Sequence, residues 1–182
     1  MNRDIVYISD FFLEHILGGG ELNDDELLKI LNEKNHNIVK IRSNIVTIDM
    51  LQQKQDSFFI ISNFINLNDE CKQYLSDNLD YIIYEHDHKY VSNRNPAFFR
   101  NFKVPNKEIV NYFFYKNARS VFCQSTFHKN IAFKNLKLKN IYNVSGNLWS
   151  LDTLEVIRVL AKNKKTKLCS IMNSGIEHKN TR

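Results

Sequence analysis

Proline is nearly missing from this sequence: only Pro96 and Pro105 occur, and no low-complexity tract accompanies them. With so few chain breakers and no linker-like composition, residues 1–160 read as uninterrupted. Cysteine is as scarce. Cys71, Cys123 and Cys169 are odd in number and widely spaced, which excludes a disulfide framework or a zinc knuckle and leaves them as reduced packing residues. No apolar run reaches the length of a membrane span, and the amino terminus lacks the basic and apolar regions of a secretory signal. A soluble, cytoplasmic protein without a membrane span is therefore expected. The lysine-rich runs at 129–139 and 162–167 lack the arginines and interleaved aromatics of a nucleic-acid reader, so nucleic acid is not the expected partner despite a net charge of +5.

What is present is a regular alternation. With 182 residues, 43% of them hydrophobic, the chain can fill one sizeable core. Short β-branched or continuous apolar runs at 4–9, 37–42, 57–62, 80–84, 120–125 and 140–144 read as strands. Continuous apolarity, as in Phe58-Phe59-Ile60-Ile61, indicates burial on both faces and hence a parallel sheet between helices. Helices are expected at 22–35, around 47–51, after Asn68, at 106–117 from Pro105 with Ile109, Val110, Phe113 and Phe114 inward, after Ser125 with Phe127, Ile131, Ala132 and Phe133, and after a cap at Asp152. The fold class that follows is α/β: a doubly wound, mainly parallel, Rossmann-like sheet of six or seven strands with helices on both faces. Residues 1–163 form that domain. Residues 164–182, with a further apolar run at 167–172, read as the first strand of a second domain or as a tail.

Three consecutive glycines, Gly18, Gly19 and Gly20, precede Glu21 between the first strand and the first helix. Glycine there permits positive φ and close approach of a ligand, while the first-turn N–H groups suit an anion. The spacing matches neither the dinucleotide fingerprint nor the Walker loop. In open α/β sheets ligands bind beyond the carboxyl ends of the strands, where strand order reverses. That rule gathers the glycine loop, residues 85–90 and Gln124-Ser125 on one rim.

Taken together, Gly18-Gly19-Gly20-Glu21 after the first strand, Tyr84-Glu85-His86-Asp87-His88 at the end of the fourth and Val121-Phe122-Cys123-Gln124-Ser125 at the end of the fifth resemble the amino-terminal domain of GT-B glycosyltransferases of the group-1, family-4-like kind, over about residues 4–160. The resemblance implies an acceptor-side half that works with a second Rossmann-like domain, which in such enzymes holds most of the donor nucleotide and supplies a pair of glutamates. It further implies a nucleotide sugar as donor substrate, an acceptor and no separate cofactor. The glycine loop would close on the donor phosphates and the fourth-strand loop would line the sugar pocket.

Within that rim, Glu85, His86, Asp87 and His88 are the densest ionisable cluster. Adjacent residues cannot all converge on one ion, so no metal site is expected. His86, Asp87 and His88 are the candidate catalytic groups, as general base or hydroxyl ligands. Gly18, Gly19, Gly20, Glu21, Glu85, Arg94, Gln124 and Ser125 are the candidate phosphate- or substrate-binding residues. The same cluster can instead cap the strand and pair with Lys89 or Arg94. Arg100 and Lys103 can meet an anionic group, His128 reads as a surface or packing residue, and Trp149 as packing. The alternative to a transferase is a non-enzymatic Rossmann-like binding module that offers a basic face to an anionic or nucleic-acid partner.

Overall fold

The computed structural model describes residues 4–164; the strand expected over 167–172 lies outside them. The chain divides into two compact units, Met1–Leu148 and Trp149–Arg182. The first unit is built on six parallel strands, β1 (Ile5–Ser9), β2 (Ile38–Arg42), β3 (Phe58–Ile61), β4 (Tyr81–Glu85), β5 (Ser120–Cys123) and β6 (Ile141–Asn143), in the order β2-β1-β3-β4-β5-β6. Strand order reverses between β1 and β3, which pair directly from Ile5 opposite Phe58 to Ile8 opposite Ile61. Among the described residues no helix is long and apolar enough to cross a membrane.

The period-two alternation of side chains divides the core between the two faces of the sheet. Helix α1 (Gly19–Glu33) places Leu28 with Ile5, Tyr7, Ile60 and Tyr84 on one face. On the other, Val6, Ile8, Ile61, Ile83 and Val121 pack with α2 (Ile48–Gln53), α3 (Asp69–Asn78), α4 (Tyr112–Asn117) and α5 (Thr126–Leu136), through Leu51, Leu75, Phe114 and Ala132 among others. All five β1 side chains are buried, as a central strand of a doubly wound sheet requires. The helix starts follow from their caps: Thr47, Asn68 and Ser125 accept hydrogen bonds from the amides of Met50, Cys71 and His128. Beside α1, Phe58, Ile60, Ile82 and Phe122 floor an apolar groove of about 580 Å³ on the sheet face, which residues 144–148 beyond β6 also line.

Several elements differ from the sequence expectation. The helix expected over 106–117 is a short 3-10 turn at Asn106–Glu108 followed by α4. Two forces split it. Residues 90–92 draw the segment into an antiparallel bridge, with the Val110 amide donating to the Tyr90 carbonyl and the Ser92 amide to that of Glu108. Asn111 then adopts left-handed φ of 55°, held by its side chain donating to the Lys89 carbonyl at 2.9 Å. Val110 is consequently exposed, and Tyr115 takes a buried place in its stead. On α5, Phe127 and Phe133 face outward while Ile131, Ala132 and Leu136 are buried.

In the second unit, α6 (Leu151–Ala161) is capped by Ser150, whose hydroxyl accepts from the Thr153 amide at 3.1 Å. Asp152 sits inside the first turn, favoured there by the helix dipole, and is not the cap. Trp149, expected to pack, is more than half exposed.

Candidate functional site

The carboxyl ends of β1, β3, β4 and β5 share one rim because all the strands are parallel. Asp10, one residue beyond β1 and almost wholly buried, ties that rim together. Its carboxylate accepts from the Ser43 hydroxyl and from the amides of Ile65 and Asn66, both at 2.9 Å, and so joins the loops after β1, β2 and β3 across the switch point. Sequence reasoning passed over Asp10; a lone acid directly after a buried strand was its only signal.

Gly18 is the cap residue of α1, while Gly19 and Gly20 belong to its first turn and not to a loop. The expectation of positive φ is wrong for these glycines: Gly18 is extended at φ −134°, and Gly146 is the glycine with positive φ among the described residues. Gly18 instead lies beneath the folded-back Glu21 side chain: a Cβ there would meet Oε2, the free end of a flexible side chain that can swing aside, so glycine is not required at this position. Nothing lies within 4 Å of a Cβ at Gly19, and one at Gly20 would make ordinary contact with the His86 ring at 3.8 Å. Gly18 offers no side-chain cap, so the first-turn amides of α1 have no acceptor within the helix.

His86 lies against this helix end and is held at both ring nitrogens. Nε2 is 2.8 Å from Oδ1 of Asp24, and Nδ1 faces the side-chain amide nitrogen of Gln124. With that amide donating to Nδ1, the ring carries its proton on Nε2 and gives it to the Asp24 carboxylate. Asp24 is buried and accepts a further bond from the Ser62 hydroxyl at 2.6 Å. Tyr7 is buried beside them, its phenol pushed well up by burial first and then by the Asp24 charge. Tyr84 packs edge-on to the His86 ring at 4.9 Å, and its hydroxyl accepts from Asn23 at 2.6 Å. Asn23 in turn accepts from the Leu148 amide at 2.5 Å. The supports of His86 thus come from α1, β3 and β5. Nothing local to the sequence marks Asp24 as buried; its burial emerges only when α1 is laid over the sheet.

The rest of the expected cluster has a different environment. Glu85 is fully buried and accepts from the Asp87 amide at 2.8 Å, from Lys89 at 3.4 Å and from the Tyr115 hydroxyl. Burial alone would raise its carboxyl, but the Lys89 charge and the Tyr115 hydroxyl outweigh that and hold it down to about 2. Lys89, equally buried, reaches Asp87 at 2.6 Å, and Arg94 reaches the other Asp87 oxygen at 3.1 Å. This is the ion-pair arrangement that the sequence also allowed. Arg94 is exposed and committed to Asp87.

His88 takes left-handed φ of 56°, contacts the Tyr90 hydroxyl through Nδ1 at 2.9 Å and stacks obliquely on His128 at 4.2 Å between ring centres. Burial, with the neighbouring His128, pushes His88 down to about 4; burial also lowers His128. His128 is buried, not a surface residue. Ser125 is committed to capping α5.

The structure therefore unites Gly18, Gly19, Gly20, Glu21, His86 and Gln124 around the end of α1. Glu85, Asp87, His88 and Arg94 form a neighbouring ion-pair and imidazole network. No protein-family model matches the chain, and no curated protein sequence matches it.

Proposed function

We propose that this rim is the acceptor-side wall of a two-domain glycosyltransferase of the GT-B kind, which moves a sugar from a nucleotide sugar to an acceptor hydroxyl. The observation that carries the reading is the meeting of an uncapped helix end with a doubly anchored imidazole at the switch point of the sheet. The amides of Gly19, Gly20 and Glu21 suit the donor diphosphate, with Glu21 swinging away as the anion arrives. Asp24 fixes the His86 ring so that Nδ1 is the accepting atom, the orienting role that a carboxylate plays toward histidine in catalytic triads. Exchange of the Gln124 amide for an acceptor hydroxyl brings that hydroxyl to Nδ1. As its oxygen bonds to the anomeric carbon, the bond from that carbon to the phosphate oxygen breaks, the nucleoside diphosphate leaves and the hydroxyl proton passes to Nδ1. A positioned base of this kind contributes about 10²–10⁴-fold.

The test is transfer from a panel of nucleotide sugars by the protein carrying its second domain. His86→Ala is expected to lower transfer about 10²-fold or more. Gly19→Val is expected to leave the fold intact, since a Cβ there meets nothing within 4 Å, yet to block the donor site. Transfer undiminished in His86→Ala would overturn the reading.

A further inference from the structure

Charge is sorted along the sequence in a way that the fold turns into a surface. Residues 1–87 hold sixteen Asp and Glu against seven Lys and Arg, whereas residues 88–151 hold eleven Lys and Arg against one carboxylate, Glu108. The first set builds β2, β1, β3 and β4. The second builds the loop after β4, α4, β5, α5 and β6, so the β5–β6 end of the sheet is cationic.

On that end the fold juxtaposes basic and aromatic side chains that are separate in sequence. Lys134 on α5 donates to the Asn101 carbonyl at 2.7 Å, and Asn135 donates to that of Phe102 at 2.9 Å. The tip of the loop is thereby fastened to the helix. Phe102 meets Phe127 of α5 edge to face at 5.6 Å. Phe127 remains 64% exposed and Phe98, four residues before Phe102, 73% exposed. Arg100, Lys103 and Lys134 are exposed around them. Asn101 and Phe102 both hold left-handed φ, at 55° and 58°, a costly conformation that the bonds to α5 maintain.

We propose that this face docks the protein on an anionic phospholipid surface. The phenyl rings enter the headgroup boundary, while Arg100, Lys103 and Lys134 meet lipid phosphates. Phenylalanine has no polar tip to satisfy in water, and a basic face with protruding apolar rings fits an interface whose outside is anionic and whose inside is apolar. Lys89 is buried in its ion pair with Glu85, and of the other ten cations seven are lysines, whose long stems let the charge reach headgroups while the methylenes stay apolar. Base readers favour arginine forks, which are the minority here. The inference does not depend on the transferase reading, because it uses neither His86 nor the glycine turn.

The experiment is co-sedimentation of the full chain with phosphatidylcholine vesicles with and without phosphatidylglycerol, at low salt and at about 0.5 M salt. Binding is expected to the anionic vesicles at low salt alone. Phe98→Ser, which touches the fold least, and Lys103→Glu are each expected to weaken it about fivefold or more, with unchanged circular dichroism. Lys103→Glu is the control if Phe98→Ser disturbs the loop. Equal binding to neutral vesicles, no binding to either, or anionic binding indifferent to both substitutions would overturn the proposal. So would tighter, salt-sensitive capture of a single-stranded oligonucleotide that displaces the vesicles.

Discussion

At the scale of single residues, the most consequential feature is how many ionisable groups are buried with assigned partners. Glu85 and Lys89 are both fully buried and mutually dependent. Lys89→Met leaves Glu85 an uncompensated charge and is expected to cost about 3–5 kcal/mol, whereas Glu85→Leu with Lys89→Met should recover much of that loss. Urea unfolding of the single and double variants checks it.

The His88–His128 pair adds a pH dependence. Because His88 falls to about 4 in the folded state, the unfolded chain binds the proton first as pH drops from its ordinary 6.5. Stability is then full above about 6.5 and declines toward 4, by about 3 kcal/mol from His88. The depressed Glu85 carboxyl extends the loss from about 4.5 down toward 2. His88→Asn should flatten the upper part of the melting-temperature profile and leave the lower part. Little of this was legible in the sequence. Glu85 to His88 stood out as a dense run, but which member faces the rim and which faces the core depends on the end of β4 and on Tyr115, thirty residues later.

At the scale of elements, the six strands and most helix starts were legible because they rest on local signals: continuous apolar runs, and Thr47, Asn68 and Ser125 ahead of amphipathic segments. The segment from 86 to 111 was not. It contains His88, Arg94, Asn101, Phe102 and Asn111 at positive φ, a conformation uncommon for non-glycine residues that no local pattern of the segment signals. A helical apolar pattern at 106–117 lost to the bridge with 90–92. Asn111 is the hinge of that outcome. Asn111→Gly keeps the backbone conformation but loses the bond to Lys89 and should cost about 1 kcal/mol; Asn111→Val loses both and should cost about 1–2 kcal/mol more. Shifts in urea midpoint at constant slope are the readout. Likewise, the glycine run was visible, but its conformation was not: Gly18 is extended ahead of α1, and Gly19 and Gly20 open the helix and serve no left-handed turn.

For the whole molecule, the doubly wound sheet explains why residues distant in sequence share one rim: parallel strands put the ends of β1, β4 and β5 on the same side, and the reversal beside β1 opens the place where α1 and His86 meet. The position of that rim was legible from the strand–helix alternation, whereas the Asp24–His86–Gln124 chain was not, since it needs three elements in register. On the proposed transferase reading, transfer further requires donor and acceptor to be held together away from water, an orientation effect of about 7 kcal/mol or more, so the described rim by itself is expected to bind a nucleotide sugar weakly and to transfer nothing.

The most direct measurement is an NMR titration of the chain with nucleotide sugars, following backbone amides and the His86 ring. The account predicts weak binding, of about millimolar affinity, with shifts concentrated at Gly19, Gly20, Glu21, His86 and Gln124 and absent from Gly19→Val. Shifts centred elsewhere, no response to any nucleotide sugar, or micromolar binding accompanied by transfer from this chain alone would contradict it.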